Sequence, residues 1–393
     1  MPDDERRSVI DRAWTELRDG FYQATLHLAN WNQVRERTRG RLEGVRTRGE
    51  LERLLLEMSG ALNASHLGVG TPPAEPAGLL GISVYSERGR VRVRDVLPGG
   101  PAAALGIEAG DQIFSIGRTV VDGTAALEVA APLGVSEPVD VVWFGEKGEE
   151  RRGAVRPASS GEIRDLHFAR EARIRSGRVR KEAKGKVSYV ALRTIDRTSL
   201  DALRREVELF QPEGEALILD LRDNVGGDLP EEFLRELDRT PRVVRQPRGE
   251  VRRAVPAPLT RVPLAVLIGP RTGSAAEVVA RGLAEGGRAI LVGETTAGSV
   301  IGADEIELGM GLRFRIPRVG WYTLQGENLE GRGVSPDVQV ETSPFGAELG
   351  TGDSIGTPGR PGEHVREKAP GFDSRDLVLE RAIELLEDRL RRR

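Results

Sequence analysis

Two side chains of nucleophile and base type stand side by side in "LNASHLG", residues 62–68: Ser65 and His66. The chain has 393 residues and only four histidines, His27, His66, His167 and His364, so few positions can supply an imidazole base. Such a base needs no large shift from its ordinary pKa of about 6.5 to work near neutral pH. His66 closes an amphipathic helical pattern, and an ordinary helix-end residue is the competing reading. A second serine, Ser274, sits in "LIGPRTGSAAEVVARGL", an apolar run, a glycine-containing turn and then a helical pattern. A serine there can simply cap the helix. A nucleophile there would gain from the next N–H and from the helix dipole, which both favour developing negative charge. The stretch "LRDNVGGDLPEEF" has the same layout, with two glycines that let backbone N–H groups face a site. "NLEGRGVSPDVQV" carries Glu330 between glycine-flanked turns, where a solvated loop glutamate is the plain reading. No phosphate loop is present, since the GxxxxGK[ST] pattern and its lysine are missing.

The elements that must position these residues follow from periodicity. Residues 5–63 read as helices, with Trp14, Leu17 and Phe21 on one stripe and Leu51, Leu54, Leu55, Met58 and Leu62 on another. Three prolines between Gly70 and Gly78 then break the chain. From Leu79 to about Val155, short β-rich runs alternate with glycine turns. A polar, charged linker is expected over residues 158–186. From Val187, the apolar runs "VSYVAL", "ALILDLR", "LAVLIG" and "AILVGE" alternate with helical patterns, which argues for an α/β core with buried parallel strands. Residues 346–373, rich in Gly and Pro, are expected to be flexible, and residues 374–393 to form a closing helix.

Composition narrows the chemistry. The chain has no cysteine, which excludes disulfides, thiolate catalysis and Cys-type zinc sites. No metal and no cofactor is expected. A net charge of −3 implies no nucleic-acid partner. No apolar run is long enough to span a membrane and the amino terminus has no apolar leader, so a cytoplasmic location is expected, periplasmic or secreted if a leader has been removed.

"LLGI" (residues 79–82) followed by "PGGPAAALGIEAGDQIFSIG" resembles a PDZ domain, with Leu79, Leu80, Gly81 and Ile82 where that family places the loop that binds a peptide's terminal carboxylate. A PDZ followed by "DLRDNVGG", "GSAAE", "GRAILVGETTAG" and "GRGVSPDV" resembles the S41 peptidases, the carboxy-terminal processing proteases and the tricorn core. The resemblance runs through nearly the whole chain. It implies an amino-terminal helical domain (1–70), a PDZ domain (78–157), the linker (158–186), a ClpP/crotonase-like α/β protease core (187–345), the flexible segment and the carboxy-terminal helix. Processing proteases use a Ser–Lys pair, but Ser299 stands where the lysine would be, and no lysine occurs between residues 187 and 367. Tricorn-like members use histidine. The resemblance therefore implies Ser274 as nucleophile, His66 as base, Ser65 and Glu330 as its supports, and the N–H groups of Gly227 and Ala275 as the oxyanion hole. Ala275 stands where tricorn has an aspartate that binds basic side chains, and the tricorn propellers are absent. The function implied is a serine endopeptidase acting on peptides or unfolded polypeptides, with C-termini bound at the PDZ. Homo-oligomerisation is compatible with the sequence. The alternative is an inactive PDZ-bearing scaffold that binds C-termini. A crotonase-like acyl-CoA enzyme rests on fold analogy alone and leaves the PDZ unexplained.

Overall fold

The computed structural model describes residues 2–70, 78–121, 134–210, 215–237, 244–247, 253–254, 262–341 and 375–392. The chain divides into two compact units, Met1–Thr71 with Ser176–Arg393, and Pro72–Arg175. The segment expected to be flexible, residues 346–373, lies outside the described residues.

The first unit opens with α1 (Asp3–Gly20), α2 (Trp31–Arg41) and α3 (Arg48–Gly60). A capping box starts α3: Glu50 N–H donates to Thr47 Oγ1 (3.3 Å) and Thr47 N–H to the Glu50 carboxylate (2.9 Å), satisfying two donors that helix geometry leaves open. Leu51, Leu54, Leu55 and Met58, spaced at three and four residues, are buried along α3. Trp14 and Trp31 stack and exchange indole N–H bonds with each other's backbone carbonyls (2.9 and 3.1 Å). After α3, strand β1 (Gly68–Gly70) begins two residues beyond His66.

The second unit contains β2 (Gly78–Leu79), β3 (Ile82–Glu87), β4 (Arg90–Val96), α4 (Pro101–Ala104), β5 (Gln112–Ile116), β6 (Thr119–Val120), β7 (Val139–Phe144), β8 (Glu150–Val155) and β9 (Ala158–Ser159). Its antiparallel sheet runs β3-β4-β5-β7-β8, with β6 on β5, and β2 pairs with β9. Alternating residues such as Val91, Val93, Ile113, Val141 and Trp143 fill its core. Strand β3 is an edge strand.

Most of the segment expected to be a polar, charged linker, residues 158–186, forms a helix, α5 (Ser160–Glu182). The reason is local. Glu162 N–H donates to Ser159 Oγ (3.2 Å) and Ser159 N–H to Glu162 Oε2 (2.7 Å), another capping box. Arginine, glutamate and leucine, strong helix formers, follow. Few apolar residues mark its buried face, which is why periodicity hid it.

The core resumes with β10 (Val187–Ala191), α6 (Arg197–Phe210), β11 (Ala216–Asp220), α7 (Pro230–Leu237), β12 (Val244–Pro247), β13 (Arg253–Ala254), β14 (Leu264–Ile268), α8 (Ala275–Ala284), β15 (Ala289–Gly293), β16 (Ile301–Gly309), β17 (Leu312–Tyr322), β18 (Val338–Gln339) and α9 (Leu377–Arg391). A parallel sheet runs β10-β11-β14-β15-β18. Both its faces are covered. Leu217, Leu219, Leu264 and Val266 face the core shared with α7 and α8, whereas Ile218, Ala265 and Leu267 face Val179 and Ala183 and residues of α9. Double-sided burial explains the unbroken apolar runs. A second, antiparallel sheet runs β1-β17-β12-β13, with β16 on β17. Its residues Leu308, Leu312, Phe314 and Ile316 form one core with α1, α2 and α3. Through β1, that sheet carries the chain that bears Ser65 and His66.

Candidate active site

Ser274 follows the carboxyl end of β14, where ligands gather in open α/β sheets, and caps α8 with φ 55° and ψ −126°. A serine in this region stores strain of about 1–3 kcal/mol and needs surroundings that hold it. Gly273 N–H donates to the Asn224 carbonyl (2.9 Å) and Ser274 N–H to Glu277 Oε2 (3.0 Å). Glu277 is fully buried. It also accepts from Thr296 Oγ1 (2.5 Å), Gly298 N–H (2.7 Å) and Ser299 N–H (2.9 Å). Burial pushes this carboxyl above its ordinary value, against the hydrogen bonds, which pull it down. Glu277 was assigned no role from the sequence. The signal was there, a serine followed three residues later by glutamate at a helix start.

The loop after β11 lies against Ser274. Buried Asn224 organises it, donating to the Leu192 carbonyl (2.8 Å) and accepting from Gly226 N–H (2.9 Å). A Cβ on Gly226 (φ 98°) would stand 2.5 Å from Ser274 Cβ and 3.0 Å from its Oγ, so this approach requires glycine. A Cβ on Gly227 would stand 2.3 Å from the Ile195 carbonyl oxygen. Among the described residues the N–H groups of Gly227 and Ala275 engage no hydrogen bond.

His66 (φ 59°) and Ser65 form a chain of bonds with Glu330. Ser65 Oγ donates to Glu330 Oε2 (3.0 Å) and lies 2.8 Å from His66 Nδ1, while Ser65 N–H donates to Glu330 Oε1 (2.6 Å). Because the hydroxyl proton is spent on the carboxylate, Ser65 Oγ must accept from His66 Nδ1–H. Nε2 is then left with its lone pair, the tautomer a general base needs. Burial lowers the His66 pKa, Arg315 lowers it further, and Glu330 acts in the opposite sense.

Val300 N–H donates to Glu330 Oε2 (2.7 Å). Successive peptide N–H groups, Gly298 and Ser299 on one side and Val300 on the other, thus bind the carboxylate beneath Ser274 and the carboxylate behind Ser65. No hydrogen bond joins His66 to Ser274 among the described residues. In the second unit, Leu79 pairs with Ala158, the Leu80 and Gly81 carbonyls accept from Ala102 (2.9 Å) and Leu97 (2.8 Å), and Ile82 opens the edge strand β3. Among the described residues no helix is long and apolar enough to cross a membrane.

Known proteins agree with this architecture. Residues 186–340 match peptidase family S41, residues 2–60 the tricorn protease C1 domain and residues 72–138 the PDZ domain. Tricorn protease homolog 1 of Streptomyces coelicolor is 27% identical over 98% of this chain, which spans 36% of that protein's length. A carboxyl-terminal-processing protease of Picosynechococcus is 27% identical over 87% of this chain and 85% of its own length. The crystal structure of the tricorn protease matches in fold with a TM-score of 0.73 at 20% identity, covering 98% of this chain and 37% of that one. A photosystem II D1 C-terminal processing protease matches with a TM-score of 0.50 at 22% identity, covering 86% and 93%.

Proposed function

We propose that this chain, an S41 peptidase, cleaves peptide bonds within peptides or unfolded polypeptides with Ser274 as nucleophile and His66 as base. The observation that carries the reading is the Glu330–Ser65–His66 chain of hydrogen bonds, which leaves Nε2 as the ring's acceptor. The core supplies no lysine for the role, since none lies between residues 187 and 367 and Ser299 stands where processing proteases carry theirs. Ser274 Oγ attacks the scissile carbonyl carbon while its proton passes to His66 Nε2. Catalytic bonds of this kind commonly tighten only when substrate is bound. The tetrahedral oxyanion accepts from the uncommitted N–H groups of Gly227 and Ala275, aided by the α8 dipole. The imidazolium is stabilised through Ser65 by Glu330. It then protonates the leaving amine, and the released Nε2 activates water to hydrolyse the acyl-enzyme. A fluorophosphonate probe tests the assignment: it should label wild type at Ser274 and leave Ser274→Ala unlabelled. Wild type without label would favour a scaffold that binds but does not cleave.

Glu330→Gln keeps the shape and removes the charge. Because Glu330 touches Ser65 and not the scissile bond, kcat should fall by about 10- to 1000-fold with KM little changed, less than for a triad aspartate. Steady-state kinetics on one peptide decide it, and an unchanged kcat would remove Glu330 from the site.

The PDZ domain is assigned to C-terminal recognition by residues 79–82 and strand addition along the edge of β3. None of the catalytic groups lies in it. A variant lacking residues 78–157 should lose selectivity among long polypeptides and keep turnover of a short chromogenic peptide. A folded variant with no turnover at all would make the PDZ an activator.

A further inference from the structure

The segment between α1 and α2 is strained. Leu26, His27 and Leu28 have φ of 51°, 51° and 63°, three successive non-glycine residues in the left-handed region. Such a run persists only where its surroundings hold it. The His27 ring is tied at both nitrogens. Its Nδ1 lies 2.6 Å from the Leu62 carbonyl oxygen and its Nε2 2.9 Å from Tyr22 Oη. A carbonyl only accepts, so Nδ1 carries the proton and Nε2 accepts from the Tyr22 hydroxyl. Tyr22 Oη in turn accepts from Asn328 Nδ2 (3.2 Å), and Asn328 Oδ1 accepts from Glu330 N–H (3.1 Å).

The two ends of this chain are the two segments that carry the relay. Leu62 is three residues before Ser65, and Asn328 is two before Glu330. We infer that His27, Tyr22 and Asn328 are positioning residues that hold Ser65–His66 and Glu330 in register, resting on the reading of those three as catalytic groups. The polar atoms themselves argue for this role. Tyr22 is buried in an aromatic cluster in which the His27 ring meets both Phe21 and Tyr22 edge-on, a place phenylalanine could fill at less desolvation cost than tyrosine. Burial pushes the Tyr22 hydroxyl up to about 12, so it keeps the proton it donates at any working pH. Tyr22 N–H is fixed to the Pro317 carbonyl (2.9 Å) of β17, which anchors the brace to the sheet.

The test is a double-mutant cycle. Tyr22→Phe removes one oxygen and should lower kcat by about 10- to 100-fold, with KM within about twofold and the thermal unfolding transition still cooperative. Asn328→Leu cuts the same chain at its other end and should behave alike, which covers the case in which one variant folds poorly. In a Glu330→Gln background, Tyr22→Phe should cost clearly less than it does alone, because part of its effect passes through Glu330. Loss in full measure in that background, or a wild-type kcat in a folded Tyr22→Phe, overturns the brace. Silent Glu330→Gln and His66→Ala would remove the relay, and the brace with it. An inert Tyr22→Phe beside an impaired Glu330→Gln overturns the brace alone.

Discussion

His66→Ala should lower kcat by roughly four to six orders of magnitude, the range in which loss of a catalytic histidine falls, while Ser299→Ala keeps most of the activity. Alanine removes the proposed acceptor of the Ser274 proton and leaves the Ser65–Glu330 pair without its imidazole. Ser299, by contrast, meets the site through its backbone N–H, which any side chain would preserve. The pH profile supplies an independent reading. The base works when neutral, so activity is present above the His66 pKa and lost as pH falls through it. Burial, then Arg315, lower that value, which places the acid limb of the wild-type profile below the ordinary histidine range near ~6.5. Arg315→Gln removes a neighbouring positive charge, makes the imidazolium easier to form, and should move the limb to higher pH. Steady-state rates across pH on one peptide check both statements. A near-wild-type His66→Ala beside a strongly reduced rate in Ser299→Ala would sink the histidine assignment.

Gly226→Ala should lower kcat/KM by about 100-fold or more, the scale of losing one oxyanion donor. The new Cβ would stand 2.5 Å from Ser274 Cβ, so either the nucleophile or the loop that bears Gly227 must move. A φ of 98° adds strain that no relaxation of the neighbours relieves. The control is Gly287→Ala, where φ is 69° and nothing lies within 4 Å of the added carbon. That variant carries backbone strain alone, so it should unfold at lower temperature and keep its activity. Kinetics, probe labelling and thermal unfolding of the two variants separate a steric effect on the site from a general loss of stability. Equal activities in the two would mean that the 221–227 loop plays no part in the chemistry.

Local chemistry is what the sequence by itself determined. Strands buried on both faces read as unbroken apolar runs, and those of the parallel sheet from Val187 to Gly293 were legible for that reason. Short β-rich runs between glycine turns marked a β domain from Leu79 onward, which motif resemblance alone identified with the PDZ family, and helical stripes marked α1 and α3. Where stability comes from capping and charge instead of a buried stripe, as in α5, periodicity carried no signal and the segment read as a linker. Residue types showed that no lysine lies between residues 187 and 367, so the core itself cannot supply a lysine base. Only the tertiary structure decided which groups meet. Ser65 and Glu330 lie 265 residues apart in the chain and bond because β1 joins the sheet of β17. The roles of Gly226, Asn224, Tyr22 and His27 were not legible either. A hydrogen bond depends on distances of about 3 Å and on direction, and those are set by how sheets and helices pack, not by the spacing of letters along one strand or turn.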